Sequence, residues 1–472
     1  MGQELDRTDF HDEDYGVFVQ KLQQETDLLE GWERDGKLST APTSAGFELE
    51  AWLLDNDMRP TARNSEFIDA VNDPLIVPEL SAFNIELNGD PEQLTGFGLS
   101  NLHSELAGLW RRAYERAESM NMKLAMIGIL PTVGDSDLCT DNMSTTKRFK
   151  ALNEQVFRFR KGKPIRLDIE GKDKLVSEHF DVMLEAATTS FQIHIKVPPG
   201  QGVDYYNASK IASAPLVAVS ANSPYLFGRD LWAETRIPLF EQAVSVGDWD
   251  YAERVTFGVR FIEESLSEVF VANRQRYPVL LPQISGRDVE KLDHLRLQNG
   301  TIWRWNRPLV GWDDDGTPHL RLEQRVVPAG PTILDSMANS AFYYGLVTHL
   351  ANSDVRPHER AQFFTTRDNF YEAAQHGLDA RIRWNHEDSQ PIAAVILDIL
   401  LPMARVGLKE MAIDEADIKR YLDIIEARCH TGQNGAAWQR KYVASHHASM
   451  AEMLSAYIAR QQTEMPVHEW PV

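Results

Sequence analysis

Four short stretches of the chain alternate apolar and polar residues with period two, the spacing of a half-buried strand. In Phe47-Glu48-Leu49-Glu50-Ala51, one face carries Phe47, Leu49 and Ala51 and the other carries Glu48 and Glu50. In Phe83 to Asn88, Phe83, Ile85 and Leu87 oppose Asn84, Glu86 and Asn88. From Thr188 to Val197, Phe191, Ile193, Ile195 and Val197 oppose Ser190, Gln192, His194 and Lys196. From His319 to Val326, Leu320 and Leu322 oppose Arg321, Glu323 and Arg325. An apolar back with a polar front predicts an antiparallel sheet with one solvated face.

The period changes after Pro331. Ile333 to Ala351, Pro391 to Met411, Ile418 to Cys429 and Trp438 to Arg460 carry apolar residues three and four apart, which predicts helices. A further helix is expected from Tyr15 to Trp32, and another from Leu99 to Met120, capped by Gly96-Phe97-Gly98. The fold class is therefore α+β. Residues 1–42 form an N-terminal helix and lead-in, 43–330 a sheet domain with helical insertions, and 331–472 a helical portion packed on it.

The front faces are not ordinary strand exteriors, which mix Thr, Lys, Ser and Glu. They collect Glu48, Glu50, Glu86, His194 and Glu323 beside Arg321 and Arg325. If the strands are neighbours, the carboxylates repel one another unless cations neutralise them. Carboxylate oxygens with an imidazole suit Mg²⁺ or Mn²⁺. Glu48 and Glu50 would stand roughly 6.5 to 7 Å apart, a span that serves two adjacent ions.

Charge sharpens the picture. The 472 residues carry a net charge of −22, a field that repels nucleic acid and anionic lipid, so neither is an expected partner. An anion such as phosphate would need concentrated arginine. The segment Thr301 to Arg307 with Arg321 and Arg325 reads as a hairpin carrying Arg304, Arg307, Arg321 and Arg325, whose guanidinium forks match carboxylates and phosphates. No G-x-x-x-x-G-K-[ST] occurs, which excludes a P-loop. The two cysteines, Cys139 and Cys429, make no disulfide framework. The N-terminus lacks the pattern of a secretory signal, and the longest apolar run, Ile211 to Val219, is too short for a membrane span. A cytoplasmic protein is expected. His446-His447, on a polar helical run, is read as surface.

These motifs resemble the glutamate–cysteine ligase family 2, or carboxylate–amine ligases, distant relatives of glutamine synthetase. The resemblance rests on Gly46-Phe47-Glu48-Leu49-Glu50, Ile85-Glu86-Leu87-Asn88, Thr188 to His194, Ala221-Asn222-Ser223-Pro224 with Gly228-Arg229, and Leu322 to Pro328, in the family's order. Thr431 to Ala436 is similar to a Gly-rich loop of some members. The resemblance implies a glutamine-synthetase-like antiparallel sheet with a polar concave face, flanked by helices. It also implies a reaction: ATP phosphorylates the side chain of glutamate, and an amine such as cysteine displaces phosphate to form an amide, as in glutathione biosynthesis. Glu48, Glu50, Glu86, His194 and Glu323 would then hold two or three Mg²⁺ ions, with Mn²⁺ as a substitute. Arg325, with Arg229, Arg304 and Arg321, would steady the phosphoryl group or the amino acid's carboxylate. Gln192 and Asn88 would orient substrate. The partners implied are amino acids and ATP, and assembly into a homo-oligomer is compatible. Two alternatives stay open: a guanidino or carboxylate kinase of the same wider fold, and a non-catalytic nucleotide-binding relative. A divalent-metal hydrolase indifferent to ATP is a further one.

Overall fold

The structure is a computed structural model, and it describes residues 5–247, 253–384 and 388–472. Six strands run through its main sheet: β1 (Ser44–Leu54), β2 (Ile76–Pro78), β3 (Asn84–Asn88), β4 (Phe191–Lys196), β5 (Asn306–Trp312) and β6 (Pro318–Gln324). Their order is β5-β6-β4-β1-β3-β2, and every neighbouring pair is antiparallel. Glu92–Gln93 and Lys123–Ala125 add short pairings along β1. The sheet is α+β in context, as the alternation predicts.

Register aligns the polar front. Glu50 lies opposite Glu86, Glu48 opposite both Asn88 and Gln192, and Glu323 opposite both His194 and Arg307. The pleat sends alternate side chains the other way, so Phe47, Leu49, Ala51, Ile85, Phe191, Ile193, Ile195 and Leu322 are all buried behind the sheet. Phe47 stacks on Phe191, and Trp52 on Phe83.

Helices cover that back. The apolar run Ile211 to Val219 lies in the helix Gly202–Ser220, which is buried around its whole circumference. Such a helix needs no amphipathic stripe because it is the core of a large protein. Buried Gln324, at the end of β6, donates to Asn306 Oδ1 at 3.0 Å and to the Ser209 carbonyl at 3.3 Å, which ties this helix to the sheet. The helix Ile333–Ala351 starts at Thr332, whose hydroxyl caps the Asp335 amide. Its Tyr344 hydroxyl donates to the His194 carbonyl at 3.2 Å. Leu401–Glu410 crosses it where Gly345 meets Gly407; a Cβ on Gly407 would stand 1.9 Å from the Gly345 carbonyl oxygen, so only glycine permits this approach.

The helical segments differ in detail from their expected extents. The first helix runs from Asp12 to Arg34, and the one after Gly96 from Gly98 to Ser119. Pro391 to Met411 begins as a short helix at Ile392, passes through a π turn over Ile396–Leu400, and regains α geometry at Leu401. Pro402 explains the break, since it supplies no amide hydrogen. Trp438 to Arg460 is two helices, Gly435–His446 and Met450–Gln461. His447 at φ 52° ends the first, and Ser449 with Glu452 forms a capping box for the second. A two-residue strand pair, Arg381–Ile382 with Gln390–Pro391, interrupts the helical C-terminal part.

That part is fastened by buried polar groups. Arg428 donates to Asp335 Oδ1 at 2.7 Å and Asn339 Oδ1 at 2.6 Å. Tyr457 donates to the Met126 carbonyl and accepts from Asn222. No described helix is long and apolar enough to cross a membrane.

Candidate active site

The polar face of the sheet walls a cavity of about 390 Å³, lined among others by Glu48, Glu50, Glu79, Glu86, Glu185, Gln192, Arg307, Arg321 and Arg325. A larger cavity, about 580 Å³, lies in the helical layer against Ile211, Thr366, Asn369 and Arg383. None of the candidate residues lines it. The titratable groups converge on the smaller one, and chemistry is argued there.

Two acidic clusters share the sheet face. In the first, Glu48, His194 and Glu323 each bring one ligand-type atom within 4.8 Å of the others. His194 Nε2 stands 3.6 Å from Glu48 Oε1 and 3.9 Å from Glu323 Oε1, too far for hydrogen bonds. That nitrogen is buried and has no hydrogen-bond partner among the described residues. Burial holds the imidazole at about 4 even though both carboxylates favour its charged form, so near neutrality the ring is uncharged. A neutral, unpartnered imidazole aimed between two carboxylates fits a divalent cation. Glu323 is completely buried. Burial opposes its ionisation, but Arg307 and Arg325 outweigh it and hold the carboxyl well below the usual range. Arg307 grips both oxygens, through Nε and through Nη2 at 2.9 Å, and Arg325 Nη1 donates at 2.7 Å.

The second cluster is Glu50, Glu79 and Glu86, again within 4.8 Å. Here no arginine fork grips the acids among the described residues. Burial first, then the Glu86 charge, lift Glu50 to about 7 against the pull of Arg325. Burial and Glu48 raise Glu86; burial, Glu86 and Glu50 raise Glu79 well above its ordinary value. Carboxyls pressed together in this way are relieved by a cation. The residues of both clusters therefore fit divalent ions by geometry and by charge.

The remaining polar groups orient these acids. Glu50 accepts from the Ser190 amide at 2.6 Å, the Ser190 hydroxyl at 2.9 Å and Gln192 Nε2 at 3.0 Å. Gln192 Oε1 in turn accepts from Arg325 Nη1 at 2.5 Å. Asn88 Nδ2 donates to Glu86 Oε1 at 2.9 Å. The two amides expected to face substrate are thus engaged in holding carboxylates.

Sequence reasoning placed Arg229 and Arg304 at the site, and the structure separates both from it. Arg229 is exposed on a hairpin whose turn residues, Phe227 at φ 49° and Gly228 at φ 72°, have the left-handed geometry of a tight two-residue turn. The Gly-Arg pair reflects turn chemistry. Arg304 is buried outside the cavity, donating to Asn273 Oδ1 at 2.8 and 3.1 Å and stacking over Tyr277. The expected strand breaks there: Trp303–Arg304 pairs in parallel with Val255–Thr256, and β5 begins at Asn306. Fully buried Trp305, bonded to Glu241, anchors the break. Arg321 does line the cavity, beside Glu48 and Glu323. Glu79 and Glu185 escaped the alternation because one follows a three-residue strand and the other sits in a single 3-10 turn.

Fold and site together define a class: an α+β protein whose antiparallel sheet offers acid clusters and arginines to one cavity, the architecture of carboxylate–amine ligases. Residues 44–463 match the pattern of glutamate–cysteine ligase family 2, and the chain belongs to that family. A protein of Trichormus variabilis (strain ATCC 29413 / PCC 7937) with the provisional name glutamate–cysteine ligase 2 is 22% identical over 444 residues, covering 91% of this chain and 95% of that one. Among solved structures, glutamate–cysteine ligase from Francisella tularensis in complex with AMP aligns with a TM-score of 0.61 at 11% identity, over 92% of this chain and 91% of that chain. A bifunctional glutathione synthetase from Pasteurella multocida aligns with a TM-score of 0.54 at 10% identity, over 96% of this chain and 54% of its own. At these identities the two structures speak for the fold.

Proposed function

We propose that the protein is an ATP-dependent ligase that activates the side-chain carboxylate of glutamate as an acyl phosphate and joins it to the amine of cysteine or a related amine. The observation that carries this reading is the pair of acid clusters on one sheet face, one with the unpartnered His194 nitrogen and reaching through Glu48 the cavity that Arg321 and Arg325 also line. Glu48, His194 and Glu323 would hold one Mg²⁺ or Mn²⁺, and Glu50, Glu79 and Glu86 another. Bound ions would supply positive charge to the oxygens of the nucleotide and of the substrate carboxylate.

The protein's own groups do the positioning. Arg307 and Arg325 keep Glu323 ionised, so that it can serve as a ligand at any physiological pH. Gln192 couples Glu50 to Arg325, which fixes the distance between the second cluster and the guanidinium edge. Arg321, which forms no fork with a carboxylate among the described residues, can turn its donors to phosphoryl oxygens. The cavity's apolar members, such as Leu152, Val182 and Phe270, exclude water that would hydrolyse an acyl phosphate.

The test is phosphate release from ATP and Mg²⁺ with glutamate fixed and amines varied, followed by mass spectrometry of the product. Amine-dependent phosphate release with an amide product is expected. A phosphorylated product that accumulates without amine would establish a kinase instead, and ATP binding without turnover for any pair would establish a non-catalytic relative.

A further inference from the structure

One half-buried acid in the cavity belongs to neither cluster. Glu185 opens a single 3-10 turn, Glu185–Ala187, just ahead of β4, and its own carbonyl accepts from the Thr188 amide and hydroxyl. The turn therefore fixes the Glu185 backbone, while the side chain lines the cavity. The apolar side chains of Phe149, Leu152 and Val182 line the same cavity. No hydrogen bond or ion pair reaches its carboxylate among the described residues; burial, then the charge of Glu50, push the carboxyl up to about 8. A carboxylate drawn partly out of water into a cavity, with no protein group bonded to it, is a receptor for a cationic donor. Here the nearby positive groups, Arg325 and Arg148, lower the value only in part, and the cavity is the side from which a cation can arrive.

We propose that Glu185 receives the ammonium group of the amine substrate, with Phe149, Leu152 and Val182 taking its apolar portion. This rests on the ligase reading above and extends it to the second substrate. The chemistry is that of a charge-assisted hydrogen bond in a desolvated pocket. It accounts for an unpaired acid that lines the cavity yet belongs to neither acid cluster. It also separates labour in the cavity: the clusters on β1, β3, β4 and β6 face the anionic reactants, and Glu185 faces the cationic one.

The experiment compares L-cysteine with hydroxylamine, an amine that is largely uncharged near neutral pH and also traps acyl phosphates, in the wild-type protein, Glu185→Gln and Glu185→Asp. In Glu185→Gln the ratio of KM for cysteine to KM for hydroxylamine is expected to rise roughly 10- to 100-fold, the scale of losing a hydrogen bond to a charged group. Glu185→Asp should recover part of the ratio. A misfolded variant would lose both reactions and leave the ratio to be read from Glu185→Asp, whose shorter carboxylate must still move it. An unchanged ratio in both variants, or Mn²⁺ affinity that falls in step with charge removal, overturns the assignment. If the wild-type protein makes no glutamyl hydroxamate at all, the ligase reading itself fails.

Discussion

Glu323→Gln on β6 and Glu86→Gln on β3 make the same chemical change in one sheet, and the structure predicts opposite effects on the metal-free protein. Glu323 is fully buried between Arg307 and Arg325, which make three hydrogen bonds to it. Removing its charge deprives two guanidinium groups of the carboxylate they both grip, a loss of about 3–5 kcal/mol. With an unfolding entropy of about 2 cal/mol/K per residue, a chain of 472 residues loses roughly 3–5 °C in Tm. Glu86, also buried, is disfavoured as an anion by burial and by Glu48, so its neutralisation should leave stability equal or higher. Both changes remove a cation ligand and should weaken Mn²⁺ binding at least about 10-fold. Calorimetry in chelator, with Mn²⁺ titrations alongside, reads both quantities. The electrostatic account is refuted if Glu323→Gln is as stable as the parent in chelator, or if Glu86→Gln falls as far.

Glu241 offers a test remote from the cation ligands. Burial lifts its carboxyl from 4.5 to about 7, against hydrogen bonds from Trp305 and Tyr371. An acid raised on folding stabilises the fold below its unfolded value, and that contribution is lost as pH climbs to the folded value. At 1.36 kcal/mol per pH unit the loss is up to about 3 kcal/mol. Trp305 and Tyr371 both donate to Oε1 at 2.8 Å, bonds that a glutamine oxygen can accept, so Glu241→Gln should gain stability above pH 7 and gain none below 4.5 in denaturant titrations. Glu79→Gln should reduce bound Mn²⁺ from two ions to one, counted by equilibrium dialysis. Arg229→Ala, on its exposed hairpin, should change kcat/KM by less than about twofold in the phosphate-release assay.

Alternation was a good guide wherever a strand is long enough to repeat. β1, β3, β4 and β6 each carry their polar residues on the predicted face, and the sheet order brings Glu48, Glu50, Glu86, His194 and Glu323 together. What alternation could not reach is the side chain delivered by irregular backbone. Glu79 follows Pro78 at the end of a three-residue strand, and Glu185 rides a 3-10 turn; neither segment repeats a period. Arg304 illustrates the converse. Its spacing suits a front face, but the demand of Trp305 for burial switches the chain to another partner strand. Arg229 came in with the motif Ala221 to Pro224 and Gly228-Arg229, whose last two residues belong to a turn rather than to the cavity. The helical segments were legible in period, while their ends were decided by Pro402 and by the Ser449 cap.

Glu48 and Glu50 hang from one strand, yet each serves a different cluster. The two would-be ion positions are thus indexed to each other by peptide rise, a stiff covalent ruler, instead of by pliable rotamers. An insertion or deletion of one residue in β1 would turn both acids into the apolar layer at once, so neither position can be given up through a register slip while the other survives. Drift in substrate preference is therefore channelled to the irregular rim, where a turn can be reshaped without resetting that gauge.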